Sequence, residues 1–152
     1  TFDGYWNLPE KTAEAFRDGA CSVGDMALRD AEGYIRLIDR KKNMIISGGE
    51  NIYPSEVEGL LGGYPKVKDV AVVGVPDASK GEALVLLTTH GLTTDGVREK
   101  LLGAGLPSLW VPKIIRRVEK IPVLGTGKLD LKSCRELASA VEAAKDVAVK
   151  VI

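Results

Sequence analysis

Apolar positions change period several times along the chain, and each change marks an element. Pro9 suits a first helical position, and EKTAEAFRDG carries a helical pattern that predicts a helix ending at Gly19. Cys21 to Arg29 and Tyr34 to Asp39 read as extended runs joined by the turn Asp30-Ala31-Glu32-Gly33. Arg40, Lys41, Lys42 and Asn43 then form a polar break, and Met44 to Ser47 a short buried strand. Gly48-Gly49-Glu50-Asn51 turns the chain. Pro54 opens a helix through Leu61, with Ser55 and Glu58 spaced as a capping pair. Val67 to Val75 is mostly apolar and β-branched, the pattern of a strand covered on both faces. Glu82 to Thr89 reads as a second strand, Thr94 to Ala104 as a helix, Ile114 to Ile121 as a third strand, and Asp130 to Lys145 as a helix. Strands and helices alternating in this way predict a small α+β or split α/β domain after the polar break.

Composition narrows the function classes. The 152 residues hold 21 Lys plus Arg against 21 Asp plus Glu, a balance that gives no reason to propose nucleic acid or an anionic membrane as partner. The longest apolar runs, Val70 to Val75 and Ala83 to Leu87, fall far short of a bilayer span. Cys21 and Cys134 are too few for a disulfide framework, which favours a reducing cytoplasm. The opening TFDGYWNLPE carries no secretory pattern, and its abruptness suggests a portion of a longer polypeptide.

Three places carry candidate chemistry. PVLGTGK ends on Lys128, and its glycines leave that lysine exposed and able to approach an anion. A P-loop would need glycine and Ser or Thr where this chain has Pro122 and Leu129, so that reading fails. What remains is a point charge for a phosphate or carboxylate oxygen, or a solvent lysine in a turn. Gly24-Asp25 lies in a predicted strand, where the carboxylate can accept from two adjacent ribose hydroxyls or stand as an ordinary surface group. The cationic break at 40–42 is a solvated linker or a pivot. His90, the lone histidine, ends a strand and is given no catalytic role.

In combination these pieces are specific. GYWNLPEKTAEAF, SVGD, DRKKNMIISGGENIYPSEVE and IPVLGTGKLDLK follow one another in the order and approximate spacing of one family. The chain resembles the C-terminal end of adenylate-forming enzymes: acyl-CoA synthetases, peptide-synthetase adenylation domains and luciferases. Residues 39–58 most resemble fatty acyl-CoA ligases, and Leu106 to Lys132 also resembles the synthetase half of acyltransferase/acyl-ACP synthetase proteins.

The resemblance implies a lid of about three strands flanked by helices over residues 41–140. It is preceded at 1–40 by the β-hairpin tail of a large N-terminal adenylation domain and followed at 141–152 by a terminal helix or tail. In such enzymes a carboxylate attacks the α-phosphate of ATP, with Mg, to give an acyl-adenylate; the thiol of CoA or carrier-protein phosphopantetheine then displaces AMP. By resemblance Lys128 is the adenylation lysine and Asp25 the ribose-binding aspartate. Arg40 contacts ribose or phosphate, Lys42 is the hinge, and Gly48, Gly49 and Glu50 form the hairpin turned to the active site for the thiol step. No metal ligand is implied within the chain, and no cofactor is expected bound to it alone. The partners implied are the N-terminal domain of the same enzyme, a carboxylic (fatty) acid, and CoA or acyl carrier protein. The family's usual aromatic pair and threonine before the Gly-Asp are replaced here by Ala20, Cys21 and Val23. Asn51 stands where several relatives carry a phosphate-binding arginine, and Asp130 and Leu131 follow Lys128 where many carry a basic residue. A non-catalytic lid that binds a carrier or partner, and a phosphate-binding regulatory domain built on residues 125–128, are the alternatives.

Overall fold

The computed structural model describes residues 2–62 and 69–140. Expectations for residues 67–68 and 141–152 lie outside them. The chain divides into two compact units, Thr1–Lys42 and Asn43–Ile152.

In the first unit, helix α1 (Pro9–Ala15) stops earlier than its sequence period suggests. The reason is Asp18-Gly19, a two-residue turn with φ of 50° and 76° that folds β1 (Phe16–Arg17) back onto β2 (Ala20–Cys21). Two consecutive positive φ values are those of a type I′ hairpin, which Asp-Gly favours strongly. The predicted run from Cys21 to Arg29 is likewise broken. Gly24 sits at φ 73°, outside any strand, and β3 begins only at Asp25 (Asp25–Arg29). β3 pairs antiparallel with β4 (Ile35–Arg40), with a bulge after Met26. The expected turn closes this ribbon: Asp30 Oδ1 accepts from the Tyr34 N–H at 2.7 Å, and Gly33 takes φ 94°.

The second unit is a sheet between helical layers. β7 (Val70–Asp77) and β8 (Gly81–Thr88) pair antiparallel along their full length, and β9 (Ile114–Arg117) adds parallel to β8. These are the three predicted strands. β9 is shorter than expected because β8 ends at Thr88, whose carbonyl accepts from the Val118 N–H; beyond that point there is no strand to pair with. The hairpin of β5 (Ile45–Ser47) and β6 (Glu50–Ile52) extends the sheet in the order β6-β5-β8-β7, so residues 50–52 are strand rather than turn alone.

Alternation along β7 and β8 produces two cores. Val70, Val72, Leu84 and Leu86 face Val57 and Leu61 of α2 (Pro54–Leu61) and Val97 and Leu101 of α3 (Thr94–Gly103). Ala71, Val73, Val85 and Leu87 face Cys134 and Ala138 of α4 (Leu131–Ser139), with Ile121 closing the layer. The double-sided burial read from the sequence is thus realised, at roughly 25 cal/mol per Å2 of apolar surface covered.

One expectation for α2 is corrected. Pro54 is already helical and Tyr53 precedes it as N-cap, so Ser55 lies inside the helix and does not cap it. The Glu58 carboxylate instead accepts from the Val72 N–H at 2.7 Å, on the β7 edge away from β8. Edge N–H groups left bare invite strand addition, and this bond blocks one.

Two substitutions probe this packing. A Cβ on Gly74 would lie 2.7 Å from Glu82 Oε1 and 3.0 Å from Ile45 Cγ2. Gly74→Ala should therefore push Glu82 off the Ile46 N–H, which it holds at 2.8 Å, and lower stability by about 1–2 kcal/mol in urea unfolding. Burial raises the Cys134 thiol to a pKa of about 11. At pH 8 it is almost wholly protonated and unreactive, so a thiol reagent should modify Cys21 alone in the native protein and both cysteines in guanidinium.

Candidate functional site

In the first unit, Asp25 and Arg40 are cross-strand partners at the open end of the β3–β4 ribbon. Arg40 Nε lies 3.0 Å from Asp25 Oδ1. The guanidinium thus sits against the Asp25 carboxylate, whose side chain is partly exposed. Gly24 contributes through its backbone, its carbonyl accepting from the Lys41 N–H at 2.9 Å. A 3-10 turn, Lys41–Asn43, follows immediately, and the boundary between the units falls between Lys42 and Asn43. Lys42 is exposed.

In the second unit, Gly48 and Gly49 make the two-residue turn of the β5–β6 hairpin, with φ of 57° and 82°. The hairpin reaches β8 through few bonds: the pair Ser47–Gly81, the Gly48 N–H to the Lys80 carbonyl at 2.9 Å, and Ile46 to Glu82. Leu109 lies over Gly48, where a Cβ would sit 3.2 Å from its methyl. Trp110 donates its indole N–H to Glu50 Oε2 at 3.1 Å and stands edge-on to Tyr53. The sequence reading passed over Leu109 and Trp110. Their only signal was a short apolar stretch, Leu109-Trp110-Val111, held between Pro107 and Pro112.

Leu109 also lines a half-open cleft of about 610 Å3 beside α3. Lys80, Arg98 and Lys113 face this cleft together with Asp77 and Asp95, and Leu84 and Leu102 add apolar surface. Its volume suits a small molecule. Ser79 donates both N–H and Oγ–H to Asp77, which holds that carboxyl below its usual range and ionised at neutral pH.

Lys128 stands at the end of a tight hairpin. The Gly127 N–H donates to the Leu124 carbonyl at 2.8 Å, the Leu124 N–H to the Lys128 carbonyl at 2.7 Å, and Val123 bridges Leu129. With Gly127 at φ 79° this is a three-residue hairpin loop: a β-turn closed by a left-handed glycine. The loop is more ordered than its glycine content suggests. Lys128 is exposed and makes no ion pair among the described residues, and Val123 and Leu124 beside it are 42% and 48% exposed. Asp25 and Arg40 are thus brought together, as are Gly48, Gly49 and Glu50, while Lys128 lies on a separate hairpin leading into α4. His90 pairs with Asp69 at 3.1 Å. No group of metal-ligating side chains occurs among the described residues, and no helix is long and apolar enough to cross a membrane.

The second unit is thus a small α/β/α domain bearing a glycine hairpin and an exposed lysine hairpin, and known proteins share its features. Residues 56–128 match the AMP-binding enzyme C-terminal domain. A feruloyl-CoA synthase from Amycolatopsis is 47% identical over 131 residues, covering 83% of this chain and 26% of the relative. The long-chain-fatty-acid–CoA ligase FadD13 of Mycobacterium tuberculosis is 41% identical over 138 residues, covering 90% and 27%. The crystal structure of ATP-bound MatB from Rhodopseudomonas palustris superposes with a TM-score of 0.77 at 32% identity, covering 92% of this chain and 29% of that one. The chain spans about a quarter of the length of the curated relatives it matches.

Gly127→Ala would force a side chain into the left-handed region and cost about 1–2 kcal/mol, whereas Gly127→Asn should cost less. Thermal unfolding of the two variants checks the order.

Proposed function

We propose that this chain is the lid portion, with the adjoining hairpin tail, of an ATP-dependent carboxylic acid–CoA ligase. The observation that carries this reading is Lys128: an exposed ammonium on a hydrogen-bonded hairpin, free of ion pairing among the described residues, in the family whose relatives are named for acid–CoA ligation. Asp25 accepts from the ribose hydroxyls of ATP, and Arg40 orients that carboxylate and faces ribose or phosphate. Lys128 bridges the attacking carboxylate and the α-phosphate, where negative charge builds as pyrophosphate departs. A preorganised cation there lowers the barrier because it needs no reorganisation when the charge forms. Magnesium would accompany the phosphates of ATP.

The thiol half-reaction uses the other hairpin. Rotation about Lys42 replaces Lys128 with Gly48-Gly49-Glu50, whose first two residues leave a slot narrow enough for pantetheine. The cleft shares Leu109 with that hairpin, and Lys80, Arg98 and Lys113 suit the phosphates of CoA. Few bonds fix the hairpin to β8, and small rearrangements there are inexpensive. Residues 1–40 complete a larger adenylation domain. The exposed Trp6, Val23, Tyr34, Ile35 and Leu37 support this, since such an apolar surface marks a contact face. The acid is a fatty or related apolar acid, and the enzyme works in the cytoplasm.

In the full-length protein, Lys128→Ala should lower acid-dependent ATP–pyrophosphate exchange by roughly a hundredfold to a thousandfold, equivalent to about 3–4 kcal/mol. Thioester formation from supplied acyl-adenylate should be spared. Equal loss of both half-reactions would remove the assigned role.

A further inference from the structure

We propose that Asp130 is a positioning residue for Lys128: it fastens the stem of the lysine hairpin to the first turn of α4 and so sets where the ammonium can go. The inference rests on the role given to Lys128 above and adds the device that aims it. Nothing in the family resemblance assigns Asp130 this part.

Both ends of Asp130 are engaged. Its carboxylate caps α4, with Oδ1 accepting from the Ser133 N–H at 3.3 Å and Oδ2 from the Ser133 hydroxyl at 2.7 Å. Its own N–H donates to the Pro122 carbonyl at 3.0 Å, across the base of the hairpin. Its carbonyl accepts from the Cys134 N–H at 2.9 Å, and the Cys134 thiol points back at the same Pro122 carbonyl at 3.9 Å. One residue therefore ties together the two strands of the lysine hairpin and the helix that follows. The neighbours are apolar and anchored: Ile121 is 2% exposed, and Leu129 and Leu131 pack against the core beneath α4. The Asp130 and Leu124 N–H bonds are the two halves of the Val123–Leu129 bridge, and the second carries the position up to the turn.

A lysine side chain reaches its target through four rotatable bonds and holds no position by itself. A fixed Cα two residues from a doubly anchored aspartate restricts the ammonium to the arc its own torsions allow. Misplacement of a reacting or stabilising group by about 1 Å can cost on the order of a hundredfold in rate. Asp130 is ionised well below neutrality, because the bonds from Ser133 hold its carboxyl below the usual range, so its cap is present wherever the reaction would run.

The test compares half-reactions in the full-length protein. Asp130→Ala should lower the kcat of acid-dependent ATP–pyrophosphate exchange by roughly tenfold to a hundredfold, with KM for ATP and acid nearly unchanged. Thioester formation from supplied acyl-adenylate should stay at the wild-type rate. Asp130→Asn, which keeps a good capping oxygen, should restore most of the exchange. If Asp130→Ala fails to fold, Ser133→Ala, which removes only the hydroxyl donor, replaces it with a severalfold loss in exchange alone. Wild-type exchange in folded Asp130→Ala overturns the proposal. So does equal loss of both half-reactions, or failure of Asn to restore. If Lys128→Ala itself leaves exchange intact, the underlying reading falls; if Lys128→Ala abolishes exchange while Asp130→Ala does not, only the positioning role falls.

Discussion

Strand β8 is the member on which the second unit is built. It is covered on both faces and takes partners along both edges: β7 along its whole length, then Ser47 at its start and β9 at its end. A strand so placed gives no side chain to solvent over Ala83–Thr88, and that stretch is accordingly apolar apart from Thr88. Every candidate group in this unit is positioned from it. The glycine hairpin hangs on its first residues through Gly81 and Glu82. The lysine hairpin follows β9, its parallel neighbour, before the chain enters α4 on the far face. The two loops are therefore separate appendages of one sheet.

The polar groups divide between those that hold structure and those left available. Asp77, Asp130, Glu58 and Glu82 all accept from backbone N–H groups, fixing turns, a helix start and strand edges. Lys128 makes no ion pair among the described residues, and Asp25 meets Arg40 rather than a backbone N–H. A carboxylate that accepts backbone N–H bonds is bound to the fold, whereas a charge without them is at the disposal of a ligand.

Much of this was legible in the residues. The long strands, α2 and α3 follow from burial period and from Pro54, and the two-sided burial of β7 was readable in its valine-rich apolar run, Val70 to Val75. The misses are local. Asp18-Gly19 carried a plain hairpin signal, but the helical period of the preceding residues masked it. Gly24 breaks a strand pattern because its backbone is left-handed, which no apolar period records. Glu58 matched a capping spacing yet reaches a strand fourteen residues away, since an edge N–H competes for the same carboxylate. The Glu50–Trp110 pair spans sixty residues and depends on the sheet bringing the hairpin to the 3-10 turn Ser108–Trp110. Sequence spacing carries no trace of such a meeting.

The alternation within β7 and β8 has a consequence for how such a domain can change over time. The two faces of β8 carry different sets, Leu84 and Leu86 toward α2 and α3, Ala83, Val85 and Leu87 toward α4. Adding or deleting one residue inside the strand would exchange the two sets and misfit both helical layers at once. Length variation is thus barred from the central ribbon and confined to its connections, such as the turn at 78–80 beside the cleft. Lineages carrying this architecture can diversify the rim of the cleft while inheriting the ribbon's residue count unaltered.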